Sequence, residues 1–458
     1  MSDAAISNSG IIAEYLEKTP GSAKLAETAK RLLPSGIAHD TRYIEPYGIY
    51  VDHAKGPRKW DVDGNEYVDY FGGHGALLLG HNHPKVLAAI HEAMDQGSHF
   101  GSNHPREVRW AELVQQLIPS AERVRFTSSG TEATHMALRL ARAHTGRSKL
   151  ARIQTHFHGW HDHMTSGYSS HFDGSATPGV LQGVAENVVL LPPGDVGAAK
   201  RLLSADDDIA ALFLEPTGGS FGMVPISADY IAALRDITAE RGIVLVFDEV
   251  ITGFRVSPGG AQARFGITPD MTTLAKIVAG GLPGGAVVGT KEIMDDLDFQ
   301  AAEAKGKEKI AHPGTFNANP VSAAAGIAAL EIIAETDACE RANAYTDKLR
   351  RRLNQVLADE GVKWAVYGTF SGFHTFTNAK GRGIDPLNFN PYDIPFEELK
   401  ARDKRISHRF RLAMLVNGVD LMGWPGGLVS ATHDEAEQDK TVEAFAAAIA
   451  MMKRDGEI

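Results

Sequence analysis

One cysteine, Cys339, stands among 458 residues, so no intramolecular disulfide and no cysteine-based zinc cage can form, and a reducing cytoplasmic location is expected. No stretch approaches the roughly 18 to 20 apolar residues that a membrane-spanning helix needs, and residues 1–10 lack the basic patch and apolar run of a signal peptide. Positive charge is in deficit: 46 Lys and Arg against 57 Asp and Glu leave a formal net charge of −11, which argues against general nucleic-acid binding through clustered Lys and Arg. Neither membrane nor nucleic acid is an expected partner. What is present is an ordinary globular composition, 43% hydrophobic and 22% charged, and a length that suggests two or three domains. Glycine is the outlier, with 47 residues, about a tenth of the chain against a usual value of about 7%.

After a short amphipathic helix around 25–33, residues 60–70 alternate in character about Asp63-Gly64, which predicts a β-hairpin. From about 84 to 290, helical patterns alternate with short apolar runs at 124–126, 150–153, 188–191, 209–214, 243–247 and 286–288. This predicts an α/β fold with a mainly parallel sheet covered on both faces, and ligands beyond the carboxyl ends of its strands. Residues 301–310 are charged and read as a surface loop or helix end. Pro320 opens a small-residue helix through Ile333, and a second helix runs from about 342 to 359. Beyond Gly361, strands near 364–367 and 372–376 and helices around 405–416 and 436–452 predict a smaller α+β C-terminal domain. There is no internal repeat.

Three places carry chemistry. In Phe126-Thr127-Ser128-Ser129-Gly130-Thr131-Glu132-Ala133 an apolar strand ends in small polar residues and a helix begins. Its buried face is Ala133, Met136, Ala137, Leu140 and Ala141. Free N–H groups and a positive dipole end at such a start suit a phosphate, although an ordinary capped turn reads the same way. Ile243 to Phe247 is a wholly apolar run that ends in Asp248-Glu249, acids placed to face a ligand crevice, to cap a helix or to bind a metal. Leu274-Ala275-Lys276 sets a lysine after an apolar stretch and before Gly280 to Gly285. Apolar surroundings lower an amine's pKa and equip it for Schiff-base chemistry, whereas a surface lysine is the plain alternative. A helix start for phosphate, a carboxylate for a pyridine nitrogen and a lysine for an aldehyde are together the parts that hold pyridoxal phosphate.

With these parts the chain resembles a class III, fold type I, pyridoxal-phosphate aminotransferase over nearly its whole length, most closely the glutamate-1-semialdehyde 2,1-aminomutase branch. The matching stretches include Trp60-Asp61-Val62-Asp63-Gly64, Gly80-His81-Asn82-His83-Pro84, Ser129 to Ala133, Phe157-His158-Gly159, Leu214-Glu215-Pro216, Asp248 to Arg255, Leu274-Ala275-Lys276 and Gly314 to Pro320. The resemblance implies pyridoxal 5′-phosphate as cofactor, Lys276 as its Schiff-base partner and proton carrier, and Asp248 at the pyridine nitrogen. It further implies Gly130 and Thr131, with Ser129 nearby, at the phosphate, Phe157 and Val250 on the two ring faces, and His158 and Glu215 in the cofactor's surroundings. Thr315 corresponds to a residue that reaches the phosphate of a neighbouring subunit, which implies a homodimer. The expected division is an N-terminal segment at 1–60, joining the small domain or a dimer contact, a large cofactor-binding domain at 61–330 and a small domain at 331–458.

Two patterns compete. Gly218-Gly219-Ser220-Phe221-Gly222 matches the Gly-x-Ser-x-Gly of hydrolases, but Pro225 follows too closely for the strand–turn–helix elbow, and helical signals resume only near Ser227. His156, His158, His161 and His163 lack the i, i+4 spacing of a helical zinc pair and read as loop and pocket-wall histidines, so no metal is expected. His74, His81 and His83 likewise read as part of a loop. A non-catalytic binding module would be signalled by loss of Lys276 or Asp248, and both are present.

Arg42 matches an arginine of the aminomutase branch that can grip a substrate carboxylate, with a surface arginine as the plain alternative, and His74 is placed with it at the substrate. Three departures from that branch border the implied substrate pocket: Gly73-His74-Gly75 in place of Thr-Trp-Gly, a short Met422-Gly423-Trp424-Pro425-Gly426-Gly427 without the acidic residue, and a long stretch at 378–400. The expected activity is therefore transfer of an amino group between a β- or ω-amino acid or amine and a keto acid or aldehyde. The aminomutase itself, or a related amino-acid racemase, is the alternative.

Overall fold

The computed structural model describes residues 9–401 and 403–458. The first eight residues, on which most of the signal-peptide reading and the start of the expected N-terminal segment fall, lie outside them. The chain forms two compact units: residues up to His83 together with Arg341–Ile458, and Pro84–Glu340.

Within Pro84–Glu340 seven strands make one sheet: β1 (Arg123–Thr127), β2 (Lys149–Ile153), β3 (Val188–Leu191), β4 (Ile209–Leu214), β5 (Val244–Asp248), β6 (Met271–Ala275) and β7 (Gly285–Gly289), in the order β1-β7-β6-β5-β4-β2-β3. All pairings are parallel except those of β7, which runs against both neighbours. β4, β5 and β6 are buried along their whole length, because both faces of a parallel sheet are covered. Alternate residues of β5 serve opposite faces. Val246 shares a core with Met136, Ala137 and Leu140 of α1 (Gly130–Thr145), while Leu245 and Phe247 join Tyr230, Ile231 and Leu234 of α2 (Ala228–Arg241). Each large apolar side chain so buried contributes about 1.5–3 kcal/mol. Both helices end on a left-handed glycine, Gly146 and Gly242, whose N–H caps the last turn.

The sheet has one strand more than the sequence predicts. β6 escapes periodicity because Thr272 and Thr273 read as polar, yet both are fully buried. β7 turns back on β6 because residues 276–284 are too few for the crossover of about a dozen residues that a parallel pairing requires.

In the other unit, Arg58–Asp61 pairs antiparallel with Glu66–Asp69 as the expected hairpin. The Asp61 carboxylate shapes its turn, accepting the N–H groups of Asp63 (3.0 Å) and Asn65 (2.8 Å) and the Tyr67 hydroxyl (2.7 Å). Glu66–Asp69 also pairs in parallel with Val419–Asp420, so residues 61–83 fold with the C-terminal part, and this boundary lies at 83/84 where the sequence reading puts 60/61. The second falls at 340/341, within the helix Ala338–Asp359, where the sequence reading puts 330/331, within the helix Pro320–Glu335. Strands Ala365–Tyr367, Gly372–Phe376 and Gly426–Leu428 form an antiparallel sheet, accompanied by helices Lys404–Val416 and Glu435–Arg454. The long 378–400 stretch is tied down by Lys380 and Arg382 on Glu398 and by Phe389 stacked on Phe376 at 5.4 Å. No helix of the described residues is long and apolar enough to cross a membrane.

Candidate active site

At the carboxyl end of β1 the chain turns into α1. Ser129 is the N-cap, its Oγ accepting the Glu132 N–H at 3.2 Å, and the Glu132 carboxylate accepts the Ser128 N–H at 2.6 Å. The N–H groups of Gly130 and Thr131 then have no acceptor among the described residues, and the positive end of a sixteen-residue helix lies there. A Cβ at Gly130 would stand 3.0 Å from both Val250 methyls, so any larger residue here would have to shift that side chain.

Asp248 closes β5 and is 5% exposed. Its Oδ1 accepts the Val250 N–H at 3.1 Å, and its Oδ2 lies 2.7 Å from His158 Nδ1. Burial pushes the carboxyl up to about 6, with the Val250 N–H and the Lys276 charge acting the other way. Burial also holds His158 well below its usual range, so the ring is neutral and its Nδ1–H donates to Asp248. The next residue, Glu249, is wholly buried and accepts from Thr252 Oγ1, the N–H groups of Ala261 and Gln262, and Gln262 Nε2. It ties down the loop on which Asp248 and Val250 sit.

Lys276 follows β6 with φ +58°, a left-handed conformation uncommon for a residue with a side chain and concentrated at functional positions. Burial lowers its amine to about 8, opposed by the charges of Asp248 and Glu215. Glu215 follows β4 and accepts three N–H groups, from Phe157 (2.7 Å), Ser220 (3.0 Å) and Phe221 (3.2 Å). Burial, and then the Asp248 charge, still raise it to about 7. The hydrolase-like Gly-x-Ser-x-Gly is thereby explained: Ser220 and Phe221 take left-handed conformations, φ +54° and +57°, and their N–H groups clamp Glu215. Phe157 is 44% exposed, and its ring centre lies 4.9 Å from that of Tyr168.

Two further residues support this frame: Arg152, which periodicity does not single out, and His156, expected only as a loop or pocket-wall histidine. Arg152, fully buried in β2, donates to the carbonyls of His156 and Met164, and His156 Nδ1 accepts the Glu215 N–H at 2.8 Å. A charged residue inside an apolar strand run was the available signal for Arg152. Among the described residues no group of three His, Cys, Asp or Glu is placed to hold a metal ion.

The structure brings Ser129, Gly130, Thr131, Phe157, His158, Glu215, Asp248, Val250 and Lys276 to the strand ends and adjoining loops of one sheet. Thr315 belongs to the same unit but lies in an exposed turn, its carbonyl accepting from His99. Arg42 and His74 belong to the other unit. Arg42 ends the short turn Asp40–Arg42 and is exposed, and Thr41 of that turn bonds His74.

The sequence model for class III aminotransferases matches residues 40–383. A glutamate-1-semialdehyde 2,1-aminomutase of Methanothrix thermoacetophila is 39% identical over 93% of this chain and 95% of its own length. The crystal structure of an omega-transaminase from Sphaerobacter thermophilus superposes with a TM-score of 0.85 at 33% identity, covering 96% of this chain and 99% of that one. A β-phenylalanine aminotransferase from Variovorax paradoxus superposes with a TM-score of 0.85 at 28% identity, covering 97% of each. The chain belongs to the class III aminotransferase family.

Class III aminotransferases have the α/β fold type I and depend on pyridoxal 5′-phosphate. The residues here fit that group. Lys276 offers an amine of lowered pKa to an aldehyde, Asp248 a buried carboxylate with unused lone pairs to a pyridine nitrogen, and Gly130 and Thr131 two unbonded N–H groups to a phosphate.

Proposed function

We propose that this class III enzyme moves an amino group on a carboxylate-bearing substrate. The observation that carries the reading is the convergence of the Lys276 amine, the Asp248–His158 pair and the open first turn of α1 on one sheet edge. Bound pyridoxal phosphate supplies an aldehyde that carries the amino group and a ring that takes up electrons from the bond broken at the substrate carbon. Lys276, neutral above about pH 8, takes the proton from that carbon and returns it. Asp248 holds a proton on the ring nitrogen, and neutral His158 fixes the orientation of the carboxylate through Nδ1–H. The Gly130 and Thr131 N–H groups hold the phosphate, Val250 and Phe157 bound the ring, and Arg42 anchors the substrate carboxylate with His74 beside it. Thr315 reaches the phosphate of a second copy in a homodimer.

Within this chemistry, the curated relatives support the 2,1-aminomutase over the intermolecular transfer expected from the sequence. The test is the pyridoxamine-phosphate form of the enzyme incubated with glutamate-1-semialdehyde and no keto acid. The expected product is 5-amino-4-oxopentanoate, the isomer with amine and carbonyl exchanged; no isomer, under conditions where the wild type is fully loaded, overturns this reading. The second reading, an ω-transaminase, is favoured by the 33% identity to a solved enzyme of that description and by Gly73-His74-Gly75 and the short 422–427 segment. It requires a β- or ω-amino acid to discharge the cofactor's visible absorbance and a keto acid to restore it.

A further inference from the structure

The turn that carries Arg42 is fixed by a side-chain bridge whose members lie far apart in sequence. Thr41 Oγ1 lies 3.0 Å from His39 Nδ1 and 3.0 Å from His74 Nε2, and the Thr41 N–H reaches His39 Nδ1 at 3.2 Å. An N–H can only donate, so His39 Nδ1 is an acceptor. The hydroxyl can donate to it while accepting from a protonated His74 Nε2, which satisfies both contacts at once. The His39 and His74 ring centres are 4.6 Å apart, and Phe71 sets its edge against His74 at 5.3 Å. Gly73 and His74 are both left-handed, φ +60° and +58°, a backbone that the bridge helps to hold.

Next to this bridge, Arg42 is exposed; its N–H donates to the His39 carbonyl at 2.9 Å, while its guanidinium has no hydrogen-bond or ion-pair partner among the described residues. A guanidinium left uncompensated on a fixed turn suits a planar carboxylate, and fixing the backbone beneath it lowers the ordering cost of binding.

We propose that Thr41 is a positioning residue for a carboxylate-bearing substrate, its hydroxyl bridging His39 and His74 so that the Asp40–Arg42 turn presents the Arg42 guanidinium. This rests on the reading of Arg42 as the carboxylate anchor. The test is steady-state kinetics of the holoenzyme with glutamate-1-semialdehyde alone and with β-phenylalanine plus a keto acid as amino acceptor. Thr41→Val is expected to raise KM about tenfold, the worth of one or two hydrogen bonds, with kcat within about twofold of wild type, and Thr41→Ser to restore KM. His39→Ala, at an exposed position, is expected to raise KM by a lesser factor. Arg42→Gln should raise KM at least as much as Thr41→Val, and Thr41→Val should add little on that background, because the two act as one unit.

An unchanged KM in Thr41→Val and His39→Ala while Arg42→Gln raises it overturns the proposal alone. So does a fall in kcat and melting temperature without a change in KM, or full additivity with Arg42→Gln. An unchanged KM in Arg42→Gln, or turnover of neither probe by the wild type, overturns the reading of the site beneath it and the proposal with it.

Discussion

Lys276 shows how one residue's surroundings set the conditions for its chemistry. Its amine falls from an ordinary 10.5 to about 8 because burial penalises the ammonium form more than Asp248 and Glu215 favour it. The sign is plain: the nucleophilic free base dominates above about pH 8, not only above 10.5. Stopped-flow recombination of the apoenzyme with pyridoxal phosphate should therefore accelerate about tenfold per pH unit below 8 and level off above it. Glu215→Gln removes an opposing charge and should move that rise to lower pH, while Lys276→Ala should abolish the visible band. Asp248 gives a second residue-scale expectation. Its carboxylate takes one bond from Val250 and one from His158, and a hydrogen bond to a charged group is worth about 1.5–3 kcal/mol. His158→Phe should thus lower kcat/KM about 10- to 100-fold while the protein still retains cofactor on gel filtration. Wild-type kcat/KM in that variant would show that the pair has no part in the reaction.

At the scale of elements, the start of α1 and the loop after β5 meet at one point of contact. A Cβ on Gly130 would stand 3.0 Å from both Val250 methyls, tighter than either side accepts without a shift, and the shift would move the free N–H groups of the helix start. Gly130→Ala should weaken cofactor retention about tenfold in equilibrium dialysis, and Val250→Ala added to it should recover most of the loss. Loss unchanged in the double variant would place the cause elsewhere. This contact also marks how far the sequence could be read. The apolar runs of β4 and β5 are legible because strands buried on both faces must be continuous, and the small-residue start of α1 is legible because Ser, Gly and Thr favour such turns. β6 is hidden by its two buried threonines, and the reversed direction of β7 leaves no mark in periodicity, which carries no sense of direction. The bond between Thr41 and His74 joins residues that only folding brings together, and the burial of Arg152 is marked in the sequence only by a charge set within an apolar run.

At the scale of the whole molecule, the proposed homodimer makes a quantitative expectation possible. Lys276 and Thr315 belong to the same unit of one chain, yet we read Thr315 as serving the phosphate held by the other copy. Thr315 is exposed, so Thr315→Asp should fold normally and place a negative charge where a phosphate is to bind. Homodimers of Lys276→Ala and of Thr315→Asp should both be inactive. In a mixed dimer the site built on the intact Lys276 takes its threonine from the Lys276→Ala chain and is complete, while the other site lacks both. Equal mixing after reversible dissociation gives mixed dimers as half of the population with one working site in two, so activity should return to about a quarter of wild type. If Thr315 instead served its own chain, each site of the mixed dimer would carry one lesion and mixing would restore nothing. The same mixture followed by the cofactor's visible absorbance separates the cases without any substrate, since recovery of the Lys276-linked band requires only that phosphate and aldehyde be held together.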